Sequence, residues 1–521
     1  MSESRAAEFQ PPLRLHRSSW LFALTGSLRQ LIVPLVAIVI FGARDDDDWF
    51  GTPVILAIFA GAMLVRASWH QWTYRYGFGP RGLVIREGLI FRNVRQIEYS
   101  RIENIDTERG LLHRFLDVAQ VRVQTSTGGK PEALISVLDP GAVQEMRQRV
   151  FADTRPTAEA AAEAAAVPKE PRLLHLPPME LVRFGLIDNR GLIVVAAGVG
   201  FLQQAGFFRA NRELLEHSLP SSILTDVAGL GTALQIVLAL LVVLSALIAV
   251  RILSMVLALV TLHDFTLTRH DGDLRVRYGL LTRVALTLRT RRIQAVHQSE
   301  SPLHRLFGRV SLNVDLAGDS GGDAEQRNPQ RMKVRWLAPV CHTAAAPALI
   351  ASALPVFDFA ASPDWQPLAP GALSRIFRRS ALLALLIVAG PSWWFLRGDA
   401  VFSLPVVMAL AWMHAHLYVK YTRWALERDV LLFQSGWLTR RLTIVPRDRV
   451  QSLNVSTSPF DRRRRMASLS VDIAGGRARA AGVYIRYLPA EVAQKLAVAL
   501  YATVDLEGRA SERHATSPAI A

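Results

Sequence analysis

The stretch Gly318-Asp319-Ser320-Gly321-Gly322 sets a hydroxyl among small residues, the local pattern found around a nucleophilic serine in peptide hydrolysis. Acyl transfer by such a serine needs a general base and a third group that orients it. His263, Asp264, His297 and His304 all precede Ser320, but none stands in a recognisable catalytic context. His414 and His416 raise a second chemistry, metal ligation. Imidazoles at i and i+2 diverge on a helix and do not share an ion. Beside Trp412 and Tyr418, near the end of an apolar run, they read as interfacial residues. There is no phosphate-cradling glycine loop and no paired-cysteine zinc motif. The expectation is a chain that is not an enzyme and uses no cofactor and no metal; a membrane-bound hydrolase using Ser320 is the weakest alternative.

Arginine offers the remaining chemistry. Three columns recur along the chain: Arg92, Arg283 and Arg440; Arg101, Arg292 and Arg449; Arg114, Arg305 and Arg462. A guanidinium can hold phosphate or carboxylate bidentately, so these positions are candidate binding residues for a lipid head group or an acidic peptide. They could equally brace a sheet by pairing with local carboxylates and carbonyls, and repetition within one chain does not separate the two. A second cluster, Arg462, Arg463, Arg464 and Arg465, follows Asp461. Four arginines held at an anionic surface gain about 1 kcal/mol each; the plainer reading is a solvated loop. Nucleic acid is not an expected partner, because no stacking aromatics or groove-reading element accompany the charge.

The elements that carry these residues follow from composition and hydropathy. Half of the 521 residues are apolar, the mean hydropathy is +0.21 and the net charge is +16. Only five lysines occur, so the charge is arginine charge and favours an anionic contact. Cys341 is the sole cysteine, which excludes an internal disulfide and suits a reducing cytoplasm. Six apolar runs come in pairs, at 20–43 and 49–65, 191–208 and 227–262, 381–396 and 401–419. Several fall short of the roughly 20 residues a span needs. Joined by short loops, each pair can still insert as a hairpin. Arg5, Arg14 and Arg17 precede the first run and the acidic turn Arg44–Asp48 follows it, so the positive-inside rule puts the N-terminus in the cytoplasm. Arg251 interrupts the longest run, where it must snorkel or find a partner.

Between and after the hairpins lie copies of one unit. Residues 83–129 align without a gap on 274–320, at an offset of 191, and on 431–477, at an offset of 348. Gly88, Gly279 and Gly436 occupy matching hairpin positions. Val121, Val123 and Thr125, like Leu312, Val314 and Leu316 or Leu469, Val471 and Ile473, alternate with a period of two, which marks a strand with one buried face. Pro140, Pro339 and Pro489 are read as starting a helix after the last strand. Under the first offset the Ser320 stretch opens a hairpin loop, which favours a turn over a nucleophile.

A pair of apolar helices followed by a strand-rich unit with a central Arg-Ile-x-x-Ile/Val motif resembles the membrane-flanked-domain family, the bacterial pleckstrin-homology-like proteins of YdbT type. The motif stands at Arg101–Ile105, Arg292–Val296 and, as Arg449–Leu453, more loosely in the third copy; a second one, Leu-x-Arg-x-x-Gly, is best kept at Leu303–Gly308. The third copy departs from it at Phe460–Arg465. The resemblance implies a small bent sheet closed by a helix, in a binding or scaffolding module.

The expected fold is a membrane α+β protein of six transmembrane helices in three hairpins, each followed by a pleckstrin-homology-like β-sheet or barrel unit with a C-terminal helix. The ranges are 18–70 for hairpin 1, 71–153 for unit 1, 154–172 for an Ala/Pro linker, 173–262 for hairpin 2 and 263–355 for unit 2. Hairpin 3 spans 372–419, unit 3 spans 420–503, and 504–521 form a disordered tail. The expected place is the bacterial inner membrane with all units cytoplasmic. Their expected partners are membrane lipid and a partner protein or a second copy of the chain. A transporter gated by the units is the competing reading.

Overall fold

The computed structural model describes residues 13–14, 72–79, 82–87, 93–125, 133–150, 171–204, 231–270, 272–317, 335–355, 363–386, 404–474 and 482–501, with isolated positions 19, 21–22, 61 and 65. Ser320, Arg92 and Gly88, the 154–170 part of the linker, most of the first hairpin and the tail lie outside them.

The first copy contains β1 (Leu13–Arg14), β2 (Arg75–Phe78), β3 (Gly82–Glu87), β4 (Asn93–Glu98), β5 (Ile102–Arg109), the short helix α1 (Leu111–Phe115), β6 (Ala119–Thr125), β7 (Ala133–Leu138) and α2 (Pro140–Val150). The second opens with β8 (Arg172–His175), then α3 (Pro178–Ile187), α4 (Arg190–Gln204) and the long α5 (Thr232–Leu262). It continues with β9 (Thr266–His270), β10 (Asp273–Tyr278), β11 (Arg283–Leu288), β12 (Ile293–Glu300), α6 (Pro302–Leu306), β13 (Arg309–Leu316), β14 (Trp336–His342) and α7 (Ala346–Ala353). The third has β15 (Gln366–Pro367), α8 (Ala372–Ala384), α9 (Leu404–Tyr421), β16 (Arg423–Glu427), β17 (Val430–Ser435), β18 (Arg440–Pro446) and β19 (Val450–Ser456). It closes with α10 (Pro459–Arg462), β20 (Met466–Ile473), β21 (Val483–Pro489) and α11 over 490–501. A single 3-10 turn joins the fourth and fifth strands of every copy, at Tyr99–Arg101, Thr290–Arg292 and Arg447–Arg449. The turns recur at the offsets of 191 and 348 without slippage, so the repeat read from sequence is a repeat of structure.

The chain divides into two compact units. One comprises 1–126, 131–268 and 275–287; the other comprises 127–130, 269–274 and 288–521. The first contains a four-stranded sheet in the order β1-β2-β3-β4 and nearly all of a seven-stranded sheet in the order β7-β6-β5-β11-β10-β9-β8. The second contains a seven-stranded sheet in the order β14-β13-β12-β18-β17-β16-β15 and a three-stranded sheet β19-β20-β21. Each seven-stranded sheet therefore joins the back half of one copy to the front half of the next. β5 pairs antiparallel with β11, placing Arg109 opposite Arg283 and Thr107 opposite Ala285. β12 pairs antiparallel with β18, placing Glu300 opposite Arg440 and Gln298 opposite Leu442. A copy thus uses two sheets, where the family resemblance implied one bent sheet.

Period-two alternation builds the cores. In the first copy Leu83, Ile85, Ile97, Val121 and Val123 point to one face, and Met146 of α2 closes over them. In the third, Leu431, Val445, Leu469 and Ile485 meet Leu496 and Leu500 of the last helix. A fully buried side chain of this size contributes about 1.5–3 kcal/mol. Ala372 and Ile376 of α8 and Ala415 of α9 belong to that same cluster, so the helix pair is built into the core of its copy.

Gly279 and Gly436 turn the hairpins with φ of +111° and +88°, and a Cβ at either would meet the carbonyl oxygen of Thr282 or Thr439. Pro140 opens α2 as expected, whereas Pro489 is the last residue of β21 and directly precedes α11. Pro339 opens no helix: it lies inside β14, and the helix begins only at Ala346. The β13–β14 register slips between Val310 and Leu312, and the resulting bulge accommodates a residue that cannot donate to the ladder. Strands β8 and β15 each precede helices and join the strand that follows them, and β1 likewise joins β2. The strand β8 falls in the range read as the second hairpin, whose apolar part starts only at α4.

Among the described residues α5 is the one helix long and apolar enough to cross a membrane. A second candidate arises if α3 and α4, bent by 55° at Ile187–Arg190, count as one span. Arg251 of α5 resolves that bend chemically. Its guanidinium donates to the carbonyls of Leu186 at 3.2 Å and Asp188 at 3.4 Å and to Asn189 Oδ1 at 2.8 Å. The helices approach so closely that a Cβ on Gly185 would stand 2.5 Å from Met255 Cα.

Candidate functional site

A cavity of about 990 Å³ opens where β5 of the first copy meets β11 of the second. Arg109, Arg114, Arg172, Arg277 and Arg283 line it, with Asp264 as the one carboxylate. Five elements deliver these side chains. Arg109 ends β5 and Arg283 begins β11, which the antiparallel register brings face to face. Arg277 comes from β10, Arg172 from β8, and Arg114 from α1.

Like charges directly opposite in a sheet are destabilising. The same position of the second seven-stranded sheet carries Glu300 opposite Arg440, an ion pair at 4.0 Å, and Arg440 also stacks over Tyr421 at 4.4 Å. There the charge is balanced within the sheet. In the first sheet Arg109 turns to Asp117 at 2.5 Å, and Asp264 faces His175 at 3.7 Å. Among the described residues no carboxylate pairs with Arg172, Arg277 or Arg283. Arg172, Arg277 and Arg283 therefore line the cavity with donors that could hold an oxyanion.

The cavity is tied to the end of the apolar helix. His263 ends α5 and lines the cavity. The hairpin turn between β10 and β11 caps that end, with Gly279 N–H donating to His263 O at 2.7 Å and Leu280 N–H to Val260 O at 3.1 Å. These bonds satisfy carbonyls that a helix terminus leaves without partners. Cations near that terminus also face the negative end of the helix dipole.

The three arginine columns separate by role. Arg283 lines the cavity, whereas Arg440, its third-copy equivalent, is committed to Glu300. Arg101 pairs with Glu98 at 3.3 Å, Arg292 donates to Ala317 O at 2.6 Å and Arg449 pairs with Asp448 at 3.0 Å, so this column braces its own turn. Arg114 donates to Leu280 O at 3.2 Å, and Arg305 to Trp437 O at 3.3 Å and Leu438 O at 3.1 Å. Each of these two clasps the hairpin turn of the following copy. Arg462, at the same position, is exposed. In the cluster beside it, Arg463 and Arg465 are exposed, while Arg464 reaches Gly371 O and Ser374 Oγ at the start of α8.

The histidines weighed for catalysis hold strands together. His297 links Asp315 Oδ2 at 2.8 Å to Thr443 Oγ1 at 3.1 Å across β12, β13 and β18, and Thr443 is buried. His304 is buried between Ser301 and Ser311, both at 2.8 Å. His414 accepts from Trp437 Nε1 at 3.0 Å and His416 stacks on Trp412.

Arg109, Arg172 and Arg277 escaped the sequence reading. The Arg109–Arg283 opposition exists only through pairing between copies, which no period within one copy reveals. Arg172 is separated from its neighbours by an entire helix pair.

The bacterial PH domain pattern matches residues 30–154, 222–337 and 371–504. The chain belongs to the bacterial PH domain family. The family resemblance read from the sequence is thus correct, and each of the three bacterial PH matches falls on a different structural copy. The chain is also similar to the UPF0699 transmembrane protein YdbT of Bacillus subtilis (strain 168), 23% identical over 473 residues, which cover 89% of this chain and 92% of that protein. No solved structure matches it. The cavity lies between the first two bacterial PH copies and uses residues of both.

Proposed function

We propose that this chain is a non-enzymatic, multi-pass protein of the bacterial inner membrane whose bacterial PH copies face the cytoplasm and hold an anionic head group at the membrane surface. The apolar α5, the bent pair α3–α4 and the relative named as a transmembrane protein support membrane residence. Six spans in three hairpins would deliver all three copies to one side, since each hairpin returns the chain to the face it left. The observation that carries the binding role is Arg109 opposite Arg283, at a position where the other shared sheet has a carboxylate. Phosphate is a group that Arg172, Arg277 and Arg283 can hold together, and the cavity's place at the end of α5 favours a phosphate carried by lipid.

The test replaces Arg109 by Glu, which recreates the Glu300–Arg440 arrangement and leaves the sheet internally neutralised. The purified chain is placed in nanodiscs of phosphatidylcholine alone or with phosphatidylglycerol, and melted with and without inorganic phosphate. The expected result is a higher melting temperature with phosphatidylglycerol that Arg109→Glu abolishes, while the variant in phosphatidylcholine melts no lower than the parent. Stabilisation by inorganic phosphate alone would indicate a soluble ligand. An unchanged lipid response in the variant would overturn the assignment. For topology, single cysteines on the exposed faces of the copies should resist a membrane-impermeant maleimide in intact spheroplasts and react after lysis.

A further inference from the structure

Both shared sheets follow one rule. The back-half strand of one copy pairs antiparallel with the front-half strand of the next, and the register is the same each time. Ala285 and Leu442 are the second- and third-copy counterparts of Val94, and Gln298 and Val455 are the counterparts of Thr107, at the offsets of 191 and 348. Thr107 opposes Ala285 in one junction, and Gln298 opposes Leu442 in the other.

Two strands of this kind pair with a strand on one side only among the described residues. β4 ends the four-stranded sheet and β19 ends the three-stranded sheet. They are the front-half strand of the first copy and the back-half strand of the third. Their exposure sets them apart from the joined strands. Five of six residues of β4 are exposed, and so are five of seven in β19, whereas β12 begins with four buried residues and β18 ends with four. Edge strands are ordinarily blunted by charge, proline or brevity. β19, with the sequence Val-Gln-Ser-Leu-Asn-Val-Ser, has neither charge nor proline over seven residues. Applied to these two strands, the common register places Val455 opposite Val94. Those valines are 38% and 57% exposed, so pairing of the two edges would bury apolar surface on both.

We propose that copies of this chain associate head to tail, β19 of one pairing antiparallel with β4 of the next, with Val455 against Val94, Asn454 against Arg95 and Leu453 against Gln96. The occupant of each edge is the other edge, because the chain itself makes this junction twice and each free strand matches the role the other lacks. Arg114 and Arg305 clasp a hairpin turn across their junctions. Arg462, at the same position beside β19, is exposed and placed to repeat the clasp. The contact is heterologous, so a pair of chains retains one free edge of each type and growth continues until a ring closes or the supply ends.

Val94→Cys and Val455→Cys are introduced separately into full-length chains carrying Cys341→Ala, then co-expressed in one membrane and oxidised. The expected result is a disulfide-linked dimer from the mixture and none from either chain alone. Val455→Lys, which sets a charge on that edge against Val94, should shift the native mass in nanodiscs from several chains to one. A single-chain mass for the parent protein with no mixed crosslink would overturn the proposal. So would a disulfide that captures a different protein in place of the second chain.

Discussion

At the scale of single residues, burial and local partners decide what each reactive group can do. Cys341 lies in β14, 3% exposed, and burial pushes its thiol up to about 12. The thiolate is the nucleophile, so the native chain should resist alkylation at pH 8 and react at once when unfolded, as a maleimide mass shift would record. The same shift links stability to pH. The thiol stays neutral in the folded chain, so its contribution is intact below the ordinary value of 9.0 and is lost as pH rises from there towards 12. Arg251 is the other instructive residue. Arg251→Leu would make α5 more apolar, yet it strips donors from the carbonyls at the α3–α4 bend. The expected loss is about 1–3 kcal/mol, read by thermal melting in micelles, with Arg251→Lys falling between.

At the scale of elements, close approach and register matter more than propensity. Gly185→Val would drive a branched side chain into the backbone of α5 at Met255, and overpacking of this kind costs about 1–3 kcal/mol. A lowered melting temperature with unchanged membrane integration would be the readout. Much of this level was legible in the sequence. The alternation at Leu312, Val314 and Leu316, the glycine turns at Gly279 and Gly436 and the constant offsets gave strands, hairpins and copies without any coordinates. The strands β1, β8 and β15 were not legible, because two to four residues are too few to display a period. Pro339 misled for a definite reason: a bulge admits proline to a strand, and a bulge is a property of the partner's register. The arginine columns could be found but not sorted, since a clasp on the next copy's turn and a cavity lining look identical along one chain.

At the scale of the whole molecule, the departure from a string of independent beads is that sheets are shared while sequences are repeated. Each unit of the chain owns one complete seven-stranded sheet or nearly so, and the second bacterial PH copy is divided between the units. Stability of the copies should therefore be coupled. A chain ended after residue 153 would leave β5 without β11, and the isolated first copy should aggregate or melt well below the full-length chain in the same nanodisc. An isolated copy as stable as the parent would contradict the coupling. The whole-molecule arrangement could not be read from sequence, because pairing between copies is made by backbone groups that every residue carries alike.

The short strands ahead of the helix pairs have a consequence for synthesis. When β8 leaves the ribosome its neighbour β9 has not yet been made, and the two are separated by every residue of α3, α4 and α5. In the proposed membrane topology that edge waits without its neighbour until the intervening helices have entered the bilayer. In that topology the sheet is completed only after insertion, and a chain whose helices fail to enter the bilayer would leave β8 without its neighbouring strand.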